Sequence, residues 1–307
     1  MSTMPPPELI EVAPGAYAYV QPDGSWMINN TGIVAGGGAH LLVDTTSTEA
    51  RNRALLAAVE TVAPGDPRAL VNTHHHGDHT FGNWLMPAST AIVGHVHCRE
   101  DVLAAGLVAS QVLTGPDYGH QEVRPPDVTF TDALTLWVGE REVRLTHVGP
   151  AHTRSDVVVH LPDDAVVFAG DLAFAGGQPF LAEGSLAGYP RALAAIRALQ
   201  PEVLVPGHGP VQRGDDVPRL LDDLEAYAAF LDQVARDAHA RGLSPLEAAT
   251  EAQDNPFAGW QESERLVGNL HRAYAELDGN PLGSRLPLAD IWPDMVAFHG
   301  GPIGCVA

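Results

Sequence analysis

Histidine and aspartate crowd the segment 73–79, which reads THHHGDH. Within it, the spacing H-x-H-x-D-H brings His74, His76, Asp78 and His79 onto one short stretch of chain. Neutral imidazole nitrogens and carboxylate oxygens are suitable ligands for zinc, and also for iron or manganese. The segment lies far from both termini, where an expression tag would be placed, so it predicts a native metal site.

The chain that leads into this segment limits which side chains can meet. A short apolar run, ALVN, precedes it and predicts a strand that ends in a loop. In an extended segment alternate side chains share one face, so we expect His74, His76 and Asp78 to converge. The same alternation predicts that His75 points away and serves as a spacer.

One loop cannot complete the coordination of two ions, so further ligands must come from other loops. Three candidates each follow a predicted strand: His152 in GPAHTRSD, Asp171 in FAGDLAF and His208 in PGHGP. Taken singly, a histidine near glycines or an aspartate after an apolar run is more often a turn or capping residue. Taken together, at successive strand ends, the three favour a metal centre.

Composition excludes several classes of function. The 307 residues, 45% of them hydrophobic, can form one large domain or two modest ones. The net charge is −21 and arginine supplies all 17 basic residues, so we expect no nucleic-acid partner. The N-terminus MSTMPPPELI lacks a basic and apolar leader, and no run is long enough for a membrane span, which predicts a cytoplasmic protein. Cys98 and Cys305 are predicted to be free thiols in a reducing compartment.

The elements that must position the candidate ligands follow a layered α/β pattern. Short apolar runs between Glu8 and Asp44 predict antiparallel strands, and a helix is predicted over 47–62. The second half predicts strands over 128–130, 134–138, 143–147, 156–161 and 165–169, a helix over 186–199 and the strand EVLV. Amphipathic helical patterns then cover 217–241, 245–252 and 262–277, before a Pro/Gly-rich tail. These helices form either a cap on the core or a small second domain.

The motifs THHHGDH, AHT, GDLAF and PGHGP, in this order, resemble the metallo-β-lactamase superfamily over at least Pro14 to Val211. The resemblance implies an αββα sandwich over residues 1–212, with a C-terminal helical extension over 213–307 that packs on the same domain. It also implies a dinuclear site that binds two Zn²⁺ per chain, with iron or manganese as alternatives. The ligands carried over are His74, His76 and His152 for one metal, Asp78, His79 and His208 for the other, and Asp171 as the bridge.

A site of this kind predicts attack on an ester, thioester or lactone carbonyl. Two cations a few ångströms apart lower the pKa of a shared water and polarise the carbonyl oxygen. Asp78 can ligate and can also orient the nucleophile or take a proton, so we predict that it is catalytic. The same Lewis acid could instead stabilise an enolate and support an aldol-type ring closure.

Two features differ from true β-lactamases. Those enzymes are exported, whereas no signal peptide is evident in this sequence. The segment GDLAF also supplies a carboxylate where lactamases usually have a cysteine or serine. The chain is therefore more similar to the glyoxalase II and lactonase branches of the superfamily.

A finer resemblance concerns EVAPGAYAYVQPDGSW, RPPDVTFTDALTLWVGEREV, ERLVGNLHRAYAEL and VAFHGGPIGCVA. These segments are similar to metallo-β-lactamase-fold cyclases of bacterial aromatic polyketide and antibiotic biosynthesis. This implies second-ring cyclisation, thioester hydrolysis, or both, on a bicyclic polyketide intermediate. An acyl carrier protein is an expected partner only if Arg191, Arg197 and Arg213 form a local basic patch, because both proteins are acidic. The alternatives are a general thioester or lactone hydrolase of the glyoxalase II or lactonase kind, and a binding protein without metals.

A polycyclic substrate would require an aromatic pocket beside the metals. Candidate lining residues are Trp84, Tyr118, Phe174, Phe180, Tyr189, Trp260 and Phe298, although ordinary packing is the commoner role for each. The glycines that follow Asp171 predict either a mobile lid or simple turns. His95 and His97 stand at a predicted helix start, which favours a capping or packing role.

Overall fold

The computed structural model describes residues 5–307 of the chain. The first four residues, which belong to the N-terminal stretch interpreted above, lie outside the described residues. Two β-sheets pack face to face at the centre of the described part, and apolar side chains from both fill the space between them. The approach is close, since a Cβ atom on Gly32 of one sheet would lie 2.5 Å from the Phe168 ring of the other.

The strands of the first sheet are β1 (Glu8–Ala13), β2 (Ala16–Val20), β3 (Thr31–Gly36), β4 (Ala39–Val43), β5 (Ala69–Val71), β6 (Ala91–His95) and β7 (Val128–Phe130). They lie side by side in chain order. Strands β1 to β4 pair antiparallel, and β4 to β7 pair parallel. The predicted antiparallel strands and the strand at ALVN are confirmed. The carboxyl ends of β4 and β5 therefore meet at one edge of the sheet.

The strands of the second sheet are β8 (Ala133–Val138), β9 (Arg141–His147), β10 (Val157–Leu161), β11 (Val166–Phe174), β12 (Val203–His208) and β13 (Gln212–Arg213). Their order is β13-β12-β11-β10-β9-β8, and only the β11–β12 pair is parallel. Two strands are longer in the structure than predicted: β11 continues past residue 169 and includes Asp171, and β12 continues past EVLV and ends at His208. Every residue of β11 is buried, and its pairing with β12 continues to the end of both strands.

Helices cover the outer faces of both sheets. They are α1 (Glu49–Val62), α2 (Gly77–Thr80), α3 (Val96–Ala105), α4 (Val108–Val112), α5 (Tyr189–Ala198), α6 (Asp216–Ala240), α7 (Pro245–Glu251), α8 (Arg265–Leu277) and α9 (Leu288–His299), with 3₁₀ turns at Asn83–Leu85 and Pro162–Asp164. On one side Leu55 of α1 packs with Leu42, and on the other Leu193 of α5 packs with Val167. The predicted αββα sandwich is confirmed.

The C-terminal part confirms three predicted helices and adds a fourth. Helix α9 lies in the segment predicted as a Pro/Gly-rich tail, and it contains Pro293, which disfavours a helix interior. Ile291 and Met295 lie one turn apart on α9 and are 3% and 0% exposed. Their burial in the core opposes the effect of the proline. The division of the chain at residue 212 stays a prediction.

Two further expectations concern the thiols and the membrane. Cys98 and Cys305 are both free, as predicted, and both are buried. No helix in residues 5–307 is long and apolar enough to cross a membrane. The cytoplasmic location stays a prediction.

Helix α8 fixes the long loop 175–188 between β11 and α5. Four side chains on one face of α8 hydrogen-bond to successive backbone groups of this loop: Arg265 to Gln178, Asn269 to Pro179 and Leu181, Arg272 to Ala182, and Glu276 to Leu186 and Ala187. The spacing of these residues along α8 follows the helical repeat, so all four reach the same side. These bonds favour anchored turns over the alternative of a mobile lid.

Asn269→Ala should destabilise the protein by about 2–4 kcal/mol. The Asn269 amide is fully buried, accepts from Leu181 N at 2.6 Å and donates to Pro179 O at 2.8 Å. Its removal leaves both backbone groups buried without a partner. Urea unfolding measures the loss, with Asn280→Ala, an exposed asparagine, as the control that should change stability by less than about 0.5 kcal/mol. Equal unfolding midpoints for the two variants would contradict the anchoring role.

Candidate metal centre

The seven predicted ligand residues come together at one edge of the sandwich. They are supplied by the loop after β5 (His74, His76), by α2 (Asp78, His79), by the loop after β9 (His152), by β11 (Asp171) and by β12 (His208). Six of them are buried, and His76 is partly exposed. Side chains that are distant in sequence therefore converge where strands of both sheets end.

Their ligand atoms form two groups that share Asp171. One group is His74, His76, His152 and Asp171, and the other is Asp78, His79, Asp171 and His208. Within each group these atoms all lie within 4.8 Å of one another. Asp171 Oδ2 is 3.4 Å from His152 Nε2 and 3.3 Å from His208 Nε2, while Asp171 Oδ1 is 3.0 Å from His79 Nε2. The carboxylate of Asp171 thus lies between the two sets of imidazoles.

Several buried atoms at the centre of these groups lack a hydrogen bond within residues 5–307. They are His74 Nε2, His79 Nε2 and Asp171 Oδ1. The last two are 3.0 Å apart, but their geometry is not that of a hydrogen bond. Orphaned buried polar atoms destabilise a fold by about 1–3 kcal/mol each, so their clustering requires a reason. A cation at each group would satisfy them, and the imidazole and carboxylate donor set fits zinc.

In each of the five histidines, the ring nitrogen that points away from the two groups (the outer nitrogen) lies near an oxygen atom that holds the ring in place. The pairs are His74 Nδ1 with Thr73 Oγ1 (3.1 Å), His79 Nδ1 with Asp44 Oδ2 (2.9 Å), His152 Nδ1 with Phe180 O (2.5 Å), His208 Nδ1 with Gly24 O (3.1 Å) and, at longer range, His76 Nε2 with Glu183 Oε2 (3.7 Å). An acceptor on the outer nitrogen holds the proton there and leaves the inner nitrogen with a free lone pair. All five rings are therefore oriented to ligate.

The pKa values of the two groups differ in the absence of a metal. Burial lowers the pKa of His74 well below its usual range and that of His152 to about 3, so both rings are neutral at pH 7. Burial opposes the charged form of His208 as well, but Asp171 and Asp78 outweigh it and raise the pKa to about 9. Burial disfavours the charge on Asp171, yet the surrounding histidines hold its pKa well below the usual value. A proton thus resides in the second group.

The family model described as the metallo-beta-lactamase superfamily matches residues 24–208, which is more than half of the chain. This chain belongs to the metallo-β-lactamase superfamily. The match includes all seven residues of the two ligand groups.

Two curated proteins are similar to part of this chain. A hydroxyacylglutathione hydrolase of Maricaulis maris (strain MCS10) is 28% identical over 191 residues, 61% of this chain and 66% of that protein. A hydroxyacylglutathione hydrolase of Methylococcus capsulatus (strain Bath) is 34% identical over 138 residues, 44% of this chain and 45% of that protein. The alignments thus span less than two thirds of the length of these two relatives.

A solved structure resembles the chain in fold. The DIM-1 metallo-β-lactamase aligns with a TM-score of 0.58 and 21% identity, covering 74% of this chain and 98% of that chain. At this identity the likeness concerns the fold alone. The part of this chain outside the alignment amounts to about a quarter of its length.

The expectation of a second-ring polyketide cyclase is wrong. Relatives within the superfamily are named hydroxyacylglutathione hydrolase, and nothing in the comparisons supports a cyclase, an antibiotic pathway or an acyl carrier protein. The segments behind that expectation build parts of β1, β2, β7 to β9, α8 and α9, and two of them also supply Trp26 and Arg265. The positive charge of the predicted basic patch is also reduced, because Arg197 forms ion pairs with Asp222 and Glu225.

Alternation along an extended chain predicted the wrong neighbours for Asp78. His79 N donates to His76 O at 3.0 Å, and this bond begins the turn of α2. The extended segment therefore ends at His76, and Asp78 lies beside His208, with 3.2 Å between Asp78 Oδ2 and His208 Nε2. The assignment implied by the superfamily, with Asp78 in the second group, agrees with this geometry.

His75 lies outside both ligand groups, as predicted, but it has a partner. Its Nε2 atom is 3.0 Å from Glu183 Oε2, and His75, His76 and Glu183 form a smaller cluster of their own. Glu183 belongs to the loop that α8 anchors. The sequence carries no signal for this contact, because only the folded loop brings Glu183 to the histidines.

Asp44 is a second residue that the sequence interpretation missed. It follows β4 directly, accepts from Thr73 N at 2.8 Å and from Thr73 Oγ1 at 2.7 Å, and faces His79 Nδ1. A signal for it exists, since the run HLLVD ends in a carboxylate at a strand end. Its position beside THHHGDH follows from the parallel pairing of β4 and β5.

The pocket beside the two groups uses different aromatic residues from most of those predicted. Phe174 and Phe180 line it as expected, and Trp26 and Trp292 join them. The other predicted residues lie elsewhere. Tyr118 and Tyr189 are buried, and their hydroxyls donate to backbone carbonyls. Trp260 packs against Tyr227, while Trp84 and Phe298 line two separate surface depressions. His95 caps α3 by accepting from His97 N, as predicted.

Zinc affinity at the second group should rise with pH between 7 and 9. Metal binding must displace the protons on His208, whose pKa is about 9, and on His79, where burial opposes the charged form but Asp171 and Asp78 raise the pKa well above its usual value. His74 and His152 carry no such proton at pH 7. Loss of each competing proton raises the affinity about tenfold per pH unit below its pKa. Chelator competition with metal-free protein measures the slope, and a pH-independent affinity for both ions would contradict the prediction.

Asp44→Asn should lower the affinity of the second group for its ion about 10- to 100-fold, the usual effect of losing a carboxylate that holds a ligating histidine. The amide cannot supply the negative charge that orients His79 through its Nδ1 atom. Chelator competition measures the change, and Asp223→Asn, an exposed aspartate on α6, is the control. An affinity equal to that of the control would exclude the positioning role.

Proposed function

We propose that this protein is a dinuclear metal-dependent hydrolase of thioesters, of the glyoxalase II kind. The observation that carries the proposal is the pair of ligand groups joined by the carboxylate of Asp171. The similarity to proteins named hydroxyacylglutathione hydrolase supports the thioester as the bond that is cleaved. Both features match the general hydrolase that the sequence left open as an alternative.

The proposed ligands are the seven residues of the two groups, with zinc as the expected ion. His74, His76 and His152 would hold one ion, and Asp78, His79 and His208 the other, with Asp171 shared. When bound, the ions would lower the pKa of a shared water towards neutrality and polarise the substrate carbonyl. Orphaned nitrogens and a buried carboxylate support this assignment.

Asp78 would orient the attacking water. It lines the pocket, and although burial alone would raise its pKa, His79 and His208 lower it to about 2. Asp78 is therefore an anion at neutral pH and can only accept a hydrogen bond. We propose that it accepts from the water and directs an oxygen lone pair at the carbonyl carbon.

The leaving group makes a thioester well suited to such a site. A thiol of pKa about 8.5 departs as a thiolate without a strong general acid. Hydrolysis then requires a positioned water, a polarised carbonyl and a pocket that limits access of bulk water. The apolar wall around Trp26 and Phe180 provides the last of these. Attack forms the bond from water oxygen to carbonyl carbon, and the carbon–sulfur bond breaks with its electron pair on sulfur. One proton of the water goes to the departing thiolate and the other to solvent, so the products are a carboxylate and a thiol.

The zinc-loaded protein should release free thiol from acyl thioesters of glutathione or N-acetylcysteamine. Chelation should abolish turnover, and added zinc should restore it. His152→Ala should lower kcat/KM by at least about 100-fold because it removes a ligand, whereas His239→Ala, on the surface of α6, should leave it unchanged. Turnover of acyl-homoserine lactones without turnover of any thioester would contradict the proposal in favour of a lactonase.

A further inference from the structure

The pocket has an apolar wall whose side chains belong to neither of the two ligand groups. Trp26 is its centre, with ring centroids 5.3 Å from Phe180 and 6.4 Å from Trp292 in edge-to-face geometry. Aliphatic side chains complete the wall: Val108, Val112, Leu113 and Leu288. The space is about 650 Å³, including its mouth to solvent. A wall of this composition binds the hydrocarbon part of a ligand.

One cation is embedded in this wall. Arg265 lines the pocket and is 1% exposed, and its Cζ atom lies 4.1 Å from the Trp26 ring and 5.0 Å from the Phe174 ring. The carboxylates next to it in sequence are directed to Trp26 instead: Glu262 accepts from the backbone nitrogen at 3.1 Å and Glu264 from Nε1 at 2.6 Å. Burial acts to raise the pKa of both carboxylates and Arg265 acts to lower it, so the carboxylates offset part of the Arg265 charge from a distance. Neither forms an ion pair with the guanidinium in the part of the chain that the structure describes, so a direct carboxylate partner would still be favourable.

The guanidinium also keeps unused donors. Nη1 of Arg265 donates to Gln178 O at 2.8 Å. Nε is buried without a partner among residues 5–307. Nη2 makes no hydrogen bond to the part of the chain that the structure describes, and it is not sealed from solvent as Nε is. An arginine has five N–H donors in a fixed fork that suits a carboxylate.

The cation lies close to the ligand groups. Phe174, which Arg265 contacts, stacks on His208 with a centroid distance of 5.0 Å and an interplanar angle of 6°. One aromatic ring therefore separates the guanidinium from a ligand of the second group. A short acyl chain can reach from one to the other along the apolar wall.

We propose that Arg265 binds a carboxylate at the far end of the acyl group, so that the substrate class is the monothioester of an apolar dicarboxylic acid. The inference rests on the proposed thioester hydrolase function. The carbonyl of the thioester faces the ligand groups, the hydrocarbon lies against Trp26 and Phe180, and the carboxylate neutralises Arg265. The polar thiol carrier then extends through the mouth of the pocket.

Matched thioesters test the proposal on the zinc-loaded protein. Succinyl, glutaryl and adipoyl thioesters of N-acetylcysteamine are compared with the butyryl, pentanoyl and hexanoyl thioesters. The wild type should prefer the carboxylated member of the best pair by about 10- to 100-fold in kcat/KM, the worth of a charged hydrogen bond. Arg265→Gln should lose this preference, because its loss of kcat/KM should be at least about tenfold larger on the carboxylated member than on the neutral member. Equal losses on both substrates would assign Arg265 a structural role and overturn the inference.

A binding measurement separates this inference from the proposed function. Thioether analogues of the same pairs cannot be hydrolysed, and quenching of tryptophan fluorescence reports their binding beside Trp26. The wild type should bind the carboxylated analogue about 10- to 100-fold more tightly than the neutral one, and Arg265→Gln should bind both alike. Preferential binding without hydrolysis of any thioester would refute only the hydrolase function. Hydrolysis without preference for the carboxylate would refute only the role of Arg265.

Arg265→Lys covers the case in which Arg265→Gln fails to fold. Lysine keeps the charge in the wall but loses the planar fork. Its preference for the carboxylated substrate should fall between wild type and none. A preference of Arg265→Lys for the neutral substrate would overturn the inference.

Discussion

The shared carboxylate of Asp171 is the constraint on which the rest of the structure depends. It is 4% exposed and lies between imidazoles supplied by both sheets. The neighbouring backbone leaves no spare room, since a Cβ atom on Gly207 would lie 1.9 Å from Asp171 Oδ1. A buried anion surrounded by histidines is stable only if those rings keep a fixed orientation. Their outer hydrogen bonds provide that orientation.

The C-terminal helices contribute to the ligand groups without supplying a ligand. Helix α8 anchors the loop that follows β11, and that loop presents Phe180 O to His152 and Glu183 to His75 and His76. The same helix carries Arg265 into the pocket wall. One element therefore couples the orientation of the ligands to the shape of the space where a substrate would lie.

Different parts of this molecule bear on its superfamily and on the proposed substrate. The seven candidate ligands lie within the stretch that matches the superfamily, and metal coordination tolerates few residue types. The proposed acyl group would contact the pocket wall, which is built from distant segments that include Trp26, Arg265 and Trp292. The expectation of a polyketide substrate rested on segments that include Trp26 and Arg265 of this wall, and the names of the similar proteins do not support it.

The sequence alone predicted a layered α/β pattern, because strand and helix periods are local, and its motifs implied the αββα sandwich through their resemblance to the superfamily. It also identified the seven ligand candidates by residue type. It did not determine that Asp78 turns away from His74, since one hydrogen bond to His76 O ends the extended segment. Nor did it reveal Glu183 or the Trp26–Arg265 wall, whose members are more than 200 positions apart. Those contacts exist only when α8 packs on the core, because burial over long sequence separations leaves no local pattern to read.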